Sequence, residues 1–175
     1  VQQWREKRAH GEVIVVRFAD DIIAGFQYKS DAEQFLKELK ERLQKFGLEL
    51  HPEKTRLIEF GRYAAERRKQ RGEGKPETFT FLGFSHICGK TMMGKFTVMR
   101  RTVRTKLHAK IKALKNELLK RMHEPIREVG KWLHKVVAGH NQYYGVPGNS
   151  AALNLFRYKV YWTWHRVLMR RSQKG

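Results

Sequence analysis

The spacing of apolar residues changes once along this 175-residue chain, and that change limits the fold more than any other feature. Up to Met99 the apolar runs are short and rich in β-branched residues; beyond it they recur every three to four residues over long stretches. A period of two buries one face of a strand, and a period of about 3.6 buries one stripe of a helix. The expected fold class is therefore α+β: a small antiparallel sheet with a packing helix over residues 1–99, then a three-helix bundle over 100–175.

In the first part, residues 13–18 and 22–28 read as two strands of a hairpin closed by Ala19, Asp20 and Asp21. The run Ser30-Asp31-Ala32-Glu33 has the form of a capping box. It leads into Phe35, Leu36, Leu39, Leu43 and Phe46 at helical spacing, with Gly47 as a stop. Residues 48–50 and 55–60 predict short strands around the turn His51-Pro52-Glu53-Lys54. The basic, glycine-rich stretch 61–77 predicts a loop with a helical turn or two near Ala64. Residues 78–84 and 95–99 predict strands, joined by a turn-rich segment holding Gly89 and Gly94. In the second part, Val103 to Met122, Ile126 to Tyr144 and Leu153 to Val167 each carry one apolar helix face. Glu124-Pro125 and residues 145–150 break between them.

Charge divides the chain as sharply as periodicity does. Residues 1–60 hold 11 basic and 11 acidic side chains, whereas residues 61–175 hold 26 and 6, so the whole net charge of +20 lies in the second part. From Lys95 to Arg121 there are ten basic residues and one acid, Glu117. A solvated helix face is usually mixed in sign, so this imbalance points to a polyanionic partner, with nucleic acid favoured over an anionic membrane surface. No apolar run reaches the ~18 residues that span a bilayer. The lone Cys88 excludes an intramolecular disulfide framework, which makes a reducing, cytoplasmic setting the expectation. The first residue is not Met, and the opening residues read as the tail of an amphipathic segment, as in a piece of a longer polypeptide.

Two adjacent acids at a turn repel each other, and a turn needs only one Asx side chain. A hard divalent cation reverses that balance, since Mg²⁺ binds through one or two carboxylates and leaves room for phosphate oxygens. Polynucleotide polymerases require this division of labour: metal ions at the reacting phosphoryl group and a cationic surface for the backbone.

Val16-Arg17-Phe18-Ala19-Asp20-Asp21 resembles the Tyr-Ala-Asp-Asp box of reverse transcriptases, with Phe18 where Tyr is usual. Gly47-Leu48-Glu49-Leu50-His51-Pro52-Glu53-Lys54-Thr55 is similar to the block that follows it, and Phe81-Leu82-Gly83-Phe84 to the primer-grip block. The segment 139–149, Gly-His-Asn-Gln-Tyr-Tyr-Gly-Val-Pro-Gly-Asn, and then Arg170-Arg171-Ser172-Gln173-Lys174 resemble the thumb, or maturase-specific region, of bacterial group II intron reverse transcriptases. The four blocks stand in the family's order across nearly the whole chain.

The resemblance implies an RNA-directed DNA polymerase: the later part of the palm over residues 1–99 and the thumb over 100–175. It implies that Asp20 binds catalytic Mg²⁺, that Asp21 assists, and that both are catalytic residues. Phe18, Lys54 and Phe81, Leu82, Gly83 and Phe84 would contact nucleotide or primer; for Lys54 a solvent-facing role is the alternative, and for 81–84 a core strand with a bulge. Arg100, Arg101, Arg104, Lys106, Lys110, Lys112 and Lys115, beside the apolar stripe of the first long helix, would form a cationic strip for RNA. The partners implied are an RNA template or intron RNA, a DNA primer and, for the complete enzyme, deoxynucleoside triphosphates. The family also places an Asp on an earlier strand, whereas residues 1–11 hold Glu6 as their one acid, so the chain by itself is expected to be inactive. The alternative function is a non-catalytic intron-RNA-binding, or maturase, module. Trp132, Tyr143, Tyr144, Trp162 and Trp164 are candidates for stacking on bases or, at helical spacing, for the core. The histidines show no ligand spacing, so no metal is assigned to them.

Overall fold

The computed structural model describes residues 2–171, as two compact units divided between Glu59 and Phe60. The division coincides with the charge boundary: the first unit is neutral and the second carries the +20. Both units mix helices with a small antiparallel sheet, as the periodicity requires. Ser172, Gln173 and Lys174, part of the last resembling block, lie outside the described residues.

In the first unit, helix α1 (Gln2–Lys7) precedes a hairpin of β1 (Val13–Phe18) and β2 (Asp21–Phe26), and α2 (Lys29–Gln44) packs on β2. Trp4, Phe26 and Phe35 meet edge-on or tilted at centroid distances of 5.1–5.8 Å, and buried Val13 and Ala32 complete this small core. Rings in such arrangements add about 0.5–1.5 kcal/mol per pair beyond the area they bury. Asp31 is 1% exposed, and it accepts from the backbone N–H groups of His10 and Gly11 while the His10 ring sits 2.9 Å away. The His10 contact holds its carboxyl below the usual carboxylate range.

These contacts explain why the expected capping box does not form. Helix α2 begins at Lys29, its N-cap Tyr28 makes no side-chain cap bond, and Asp31 is committed to the chain ahead of β1. The helix ends at Gln44 rather than Phe46. Gly47 terminates the closing turn at φ +67°, where Leu48 N–H reaches back to Leu43 O, and Phe46 is left 71% exposed. The strands expected over 48–50 and 55–60 are absent, because a strand needs a paired neighbour and the ladder among the described residues of this unit is β1–β2.

In the second unit, α3 (Ala64–Gln70) supplies the helical turns expected near Ala64, and a three-stranded sheet follows in the order β3 (Phe79–Phe81), β4 (Phe84–Lys90), β5 (Phe96–Thr102). The single strand expected over 78–84 is two strands joined by a two-residue turn, with Phe81 paired to Phe84 across it. Gly89 is not in a turn; it lies within β4 opposite Thr97, where a side chain would strike Met99. Strand β5 runs on to Thr102, so Arg100 and Arg101 belong to the sheet, opposite His86 and Ser85, and not to a helix.

Three helices complete the unit: α4 (Arg104–Lys120), α5 (Ile126–Tyr144) and α6 (Ser150–Arg171). Their expected stripes converge on one core of Leu107, Leu114, Leu118, Val129, Leu133, Phe156, Val160 and Val167. Trp132, Val136, Val137 and Trp164 pack against its edge.

Candidate functional site

The hairpin turn is tighter than the sequence suggests. Phe18 pairs with Asp21 in the last rung of the β1–β2 ladder, so Ala19 and Asp20 alone make the bend and Asp21 opens β2. Ala19 adopts φ +52°, a conformation that a residue with a Cβ enters at a cost of about 1–2 kcal/mol. The Arg17 Nε–H donates to the Ala19 carbonyl at 2.9 Å and braces this bend. Alternation along the ladder puts Phe18 and Asp21 on the same face as Ile14 and Val16, and that face is open: Phe18 is 61% exposed. Among the described residues neither Asp20 nor Asp21 has a hydrogen-bond or ion-pair partner, although cations abound in the chain.

Two adjacent, exposed, uncompensated carboxylates fit part of a Mg²⁺ site, which needs few protein oxygens. They do not make a complete cage: among the described residues no group of three or more Asp, Glu, His or Cys side chains gathers anywhere. Lys54 is exposed in the turn after His51 and forms no ion pair among the described residues, so its geometry does not tie it to the hairpin.

The Phe81-Leu82-Gly83-Phe84 block is organised from an unexpected direction. Leu82 and Gly83 both have positive φ, +48° and +79°, the sense that matches the twist of a two-residue hairpin. Tyr143 Oη donates to the Leu82 carbonyl at 2.9 Å, the Tyr144 ring lies over Gly83, and Phe84 is packed against both tyrosine rings. A Cβ on Gly83 would come 2.8 Å from Tyr144 Oη, so only glycine admits this approach. Burial raises the Tyr144 pKa, keeping the phenol protonated. Beside this clamp, Asn149, 1% exposed, accepts from Thr102 N–H at 2.9 Å and donates to Thr102 Oγ1 and Tyr144 O, both at 2.8 Å. Val103 N–H donates to Gly83 O. The turn, the β5–α4 junction and the α5–α6 turn are thus one hydrogen-bonded node.

Sequence reasoning placed Tyr143, Tyr144 and Asn149 in a resembling block without giving them this role. The available signal was Asn149 itself, an Asx residue immediately before a helix that spends its side chain elsewhere.

The seven basic residues expected as one strip are all exposed, and among the described residues none has an ion-pair partner. In contrast, Arg68, Arg71, Lys120, Arg121 and Lys131 are neutralised by nearby glutamates. The seven do not form a single strip. Arg100 and Arg101 project from β5. At about 100° per residue, Arg104 and Lys115 flank one side of the buried α4 stripe, Lys106 and Lys110 the other, and Lys112 the back. Lys106 and Lys110 line a groove of about 680 Å³ between α4 and α5, together with Lys135, His140, Tyr143 and Tyr144, over small residues Ala109, Ala113 and Gly139. His140 stacks on Phe156 at 3.7 Å, and its Nε2 has no partner among the described residues. Burial, and secondarily the Lys110 charge, push its pKa below the usual imidazole range.

The first unit thus presents paired acids on a hairpin, and the second a glycine turn clamped by tyrosines and a surplus of cations without acid partners among the described residues. Residues 1–86 match the reverse transcriptase (RNA-dependent DNA polymerase) family. The reverse transcriptase match takes in the acidic hairpin, α2 and the Leu82-Gly83 turn, and it stops within β4, ahead of the helical bundle. No curated protein and no solved structure matches the chain. Among the described residues no helix is long and apolar enough to cross a membrane.

Proposed function

We propose that this chain is the later palm and the thumb of a group II intron reverse transcriptase, an RNA-directed DNA polymerase whose parent also assists intron splicing. The observation that carries the reading is the exposed, uncompensated Asp20-Asp21 pair on a two-residue hairpin inside the segment that matches reverse transcriptases.

Asp20 is the principal metal-binding carboxylate and Asp21, beside Phe18 on the open face, assists it. When bound, Mg²⁺ supplies charge stabilisation for nucleotidyl transfer. The chain's own residues do the rest. Phe18 offers a ring next to the acids, the Leu82-Gly83 turn presents backbone to a primer strand, and Arg100 to Lys115 hold the RNA template or intron RNA. The alternative reading, a splicing module that binds intron RNA without synthesis, is favoured by one observation: the described residues bring only two acids together at the hairpin.

Manganese, which substitutes for Mg²⁺ at oxygen sites and broadens nearby NMR signals, tests the metal assignment on the chain as it stands. Broadening centred on residues 19–22, abolished by Asp20→Asn, is expected; diffuse broadening unaffected by that substitution would overturn it. The chain alone is expected to give no primer extension on an RNA template. Supplied in trans with a palm segment that carries an Asp on an earlier strand, it should extend, and Asp20→Asn should then abolish synthesis while RNA affinity stays within about twofold, since one charge barely alters a +20 chain.

A further inference from the structure

Helix α6 buries one face in the bundle core through Phe156, Val160 and Val167, yet its opposite face is not polar. Tyr158, Tyr161 and Trp162 are 58%, 60% and 40% exposed. With His165 they form a connected set of rings: Tyr158 and Tyr161 each meet Trp162 edge-on, at 6.2 and 5.4 Å, and His165 contacts both Tyr161 and Trp162. A solvated helix face gains nothing from four such rings.

The charges on this helix are as one-sided as the rings. Between Ser150 and Arg171 there is no acid. At about 100° per residue, Lys159, Arg166 and Arg170 fall within roughly 40° of one another, in a row between the ring face and the core stripe. All three are exposed, and among the described residues none has an ion-pair partner. The outer surface of α6 therefore carries two parallel lanes, one of aromatic rings and one of cations, each running over about 10–16 Å of helix.

A polynucleotide single strand has this same two-lane character, with bases to one side and phosphates to the other. A duplex does not, because its bases face inward. A protein helix docking here would bury its apolar stripe on the rings but would need acids for the cationic lane. We infer that the outer face of α6 is a binding site for single-stranded RNA, in which unpaired bases stack on Tyr158, Tyr161 and Trp162 while their phosphates lie along Lys159, Arg166 and Arg170. The site shares with the polymerase reading only the class of ligand. It is separate from the α4 and β5 cations, and it selects strand state, which backbone contacts alone do not.

The test compares a 12-nucleotide unstructured RNA with a blunt 12-base-pair RNA duplex, using the complete chain. In Tyr158→Leu/Trp162→Leu, which keeps apolar bulk, charge and helix propensity, single-strand affinity should fall about tenfold or more, and duplex affinity should change less than about twofold. The pair Tyr158→Phe/Trp162→Phe should retain single-strand binding within about threefold. Should the leucine variant fail to fold, photo-crosslinking of 4-thiouridine RNA to the unmodified chain decides the matter: adducts on 158–165 support the site, and adducts confined to α4 and β5 overturn it. Equal losses on both RNAs would also overturn it, as would a parent dimer that the leucine variant dissolves without loss of RNA affinity. If the aromatic variants bind like the parent while salt-sensitive RNA binding persists, this inference falls and the polymerase reading stands.

Discussion

His140 shows how single side chains connect stability to site chemistry. Its ring is stacked on Phe156 in the core while its edge lines the α4–α5 groove, and burial holds it neutral. The folded form therefore binds fewer protons than the unfolded chain once pH drops below the free imidazole value of about 6.5. Stability rises with pH wherever the unfolded state holds more protons, so it should be intact above about pH 6.5 and be lost as pH falls through the depressed folded value. Thermal melts from about pH 7.5 to 5 should show the midpoint falling, and His140→Phe, which keeps the stacked ring, should reduce that fall. His86 is shifted in the same direction, by burial first and then by Arg100 opposite it, so some dependence should remain. Asn149 makes a sharper case. Asn149→Ala leaves Thr102 N–H buried without its partner, which should cost about 1–3 kcal/mol in urea unfolding, whereas an exposed Asn154→Ala on α6 should cost little.

At the scale of elements, the Leu82-Gly83 turn and the end of α5 act as one part. Gly83→Ala places a methyl group 2.8 Å from Tyr144 Oη and strains a residue at φ +79°, so it should destabilise by about 1–3 kcal/mol. In a Tyr144→Phe background the hydroxyl is gone and the ring carbons stand at 3.6 Å, so the same substitution should cost measurably less; additive effects would show that the clamp is not formed. This turn also marks the boundary of what the sequence revealed. The long helices α4, α5 and α6 were legible because each buries a continuous stripe whose period is visible in isolation. The 78–84 run reads as one strand because Phe81 and Phe84 are both apolar, and nothing local announces a reversal that needs positive φ at Leu82. The strands expected at 48–50 and 55–60 failed for the complementary reason, that β-propensity without a neighbouring ladder gives no strand. The acidic pair stands out in the sequence because adjacent carboxylates at a bend repel each other, and the structure places it at the two-residue turn. The Tyr143, Asn149 and Thr102 node joins residues up to 61 positions apart, and no spacing rule reaches that far.

For the whole molecule, the coincidence of the structural division with the charge division is the central fact. A neutral unit carries the acids suited to metal binding, and the unit with the +20 carries 26 basic residues against six acids. Among its described residues Arg100, Arg101, Arg104, Lys106, Lys110, Lys112 and Lys115 are exposed and without acid partners, and they sit on a strand and on several sides of a helix rather than along one strip. Such binding releases counterions, so log affinity falls with log salt by about 0.7–0.9 per phosphate contacted. Filter binding of RNA at four salt concentrations measures this directly. For roughly four to six contacts, affinity should weaken on the order of a hundredfold or more between 50 and 200 mM salt. Changing Arg101, Arg104 and Lys112 together to Gln should flatten the slope by up to about three contacts' worth without altering helix content. A slope near zero in the parent, or one unchanged in the folded triple variant, would contradict the assignment of this unit to the polynucleotide backbone.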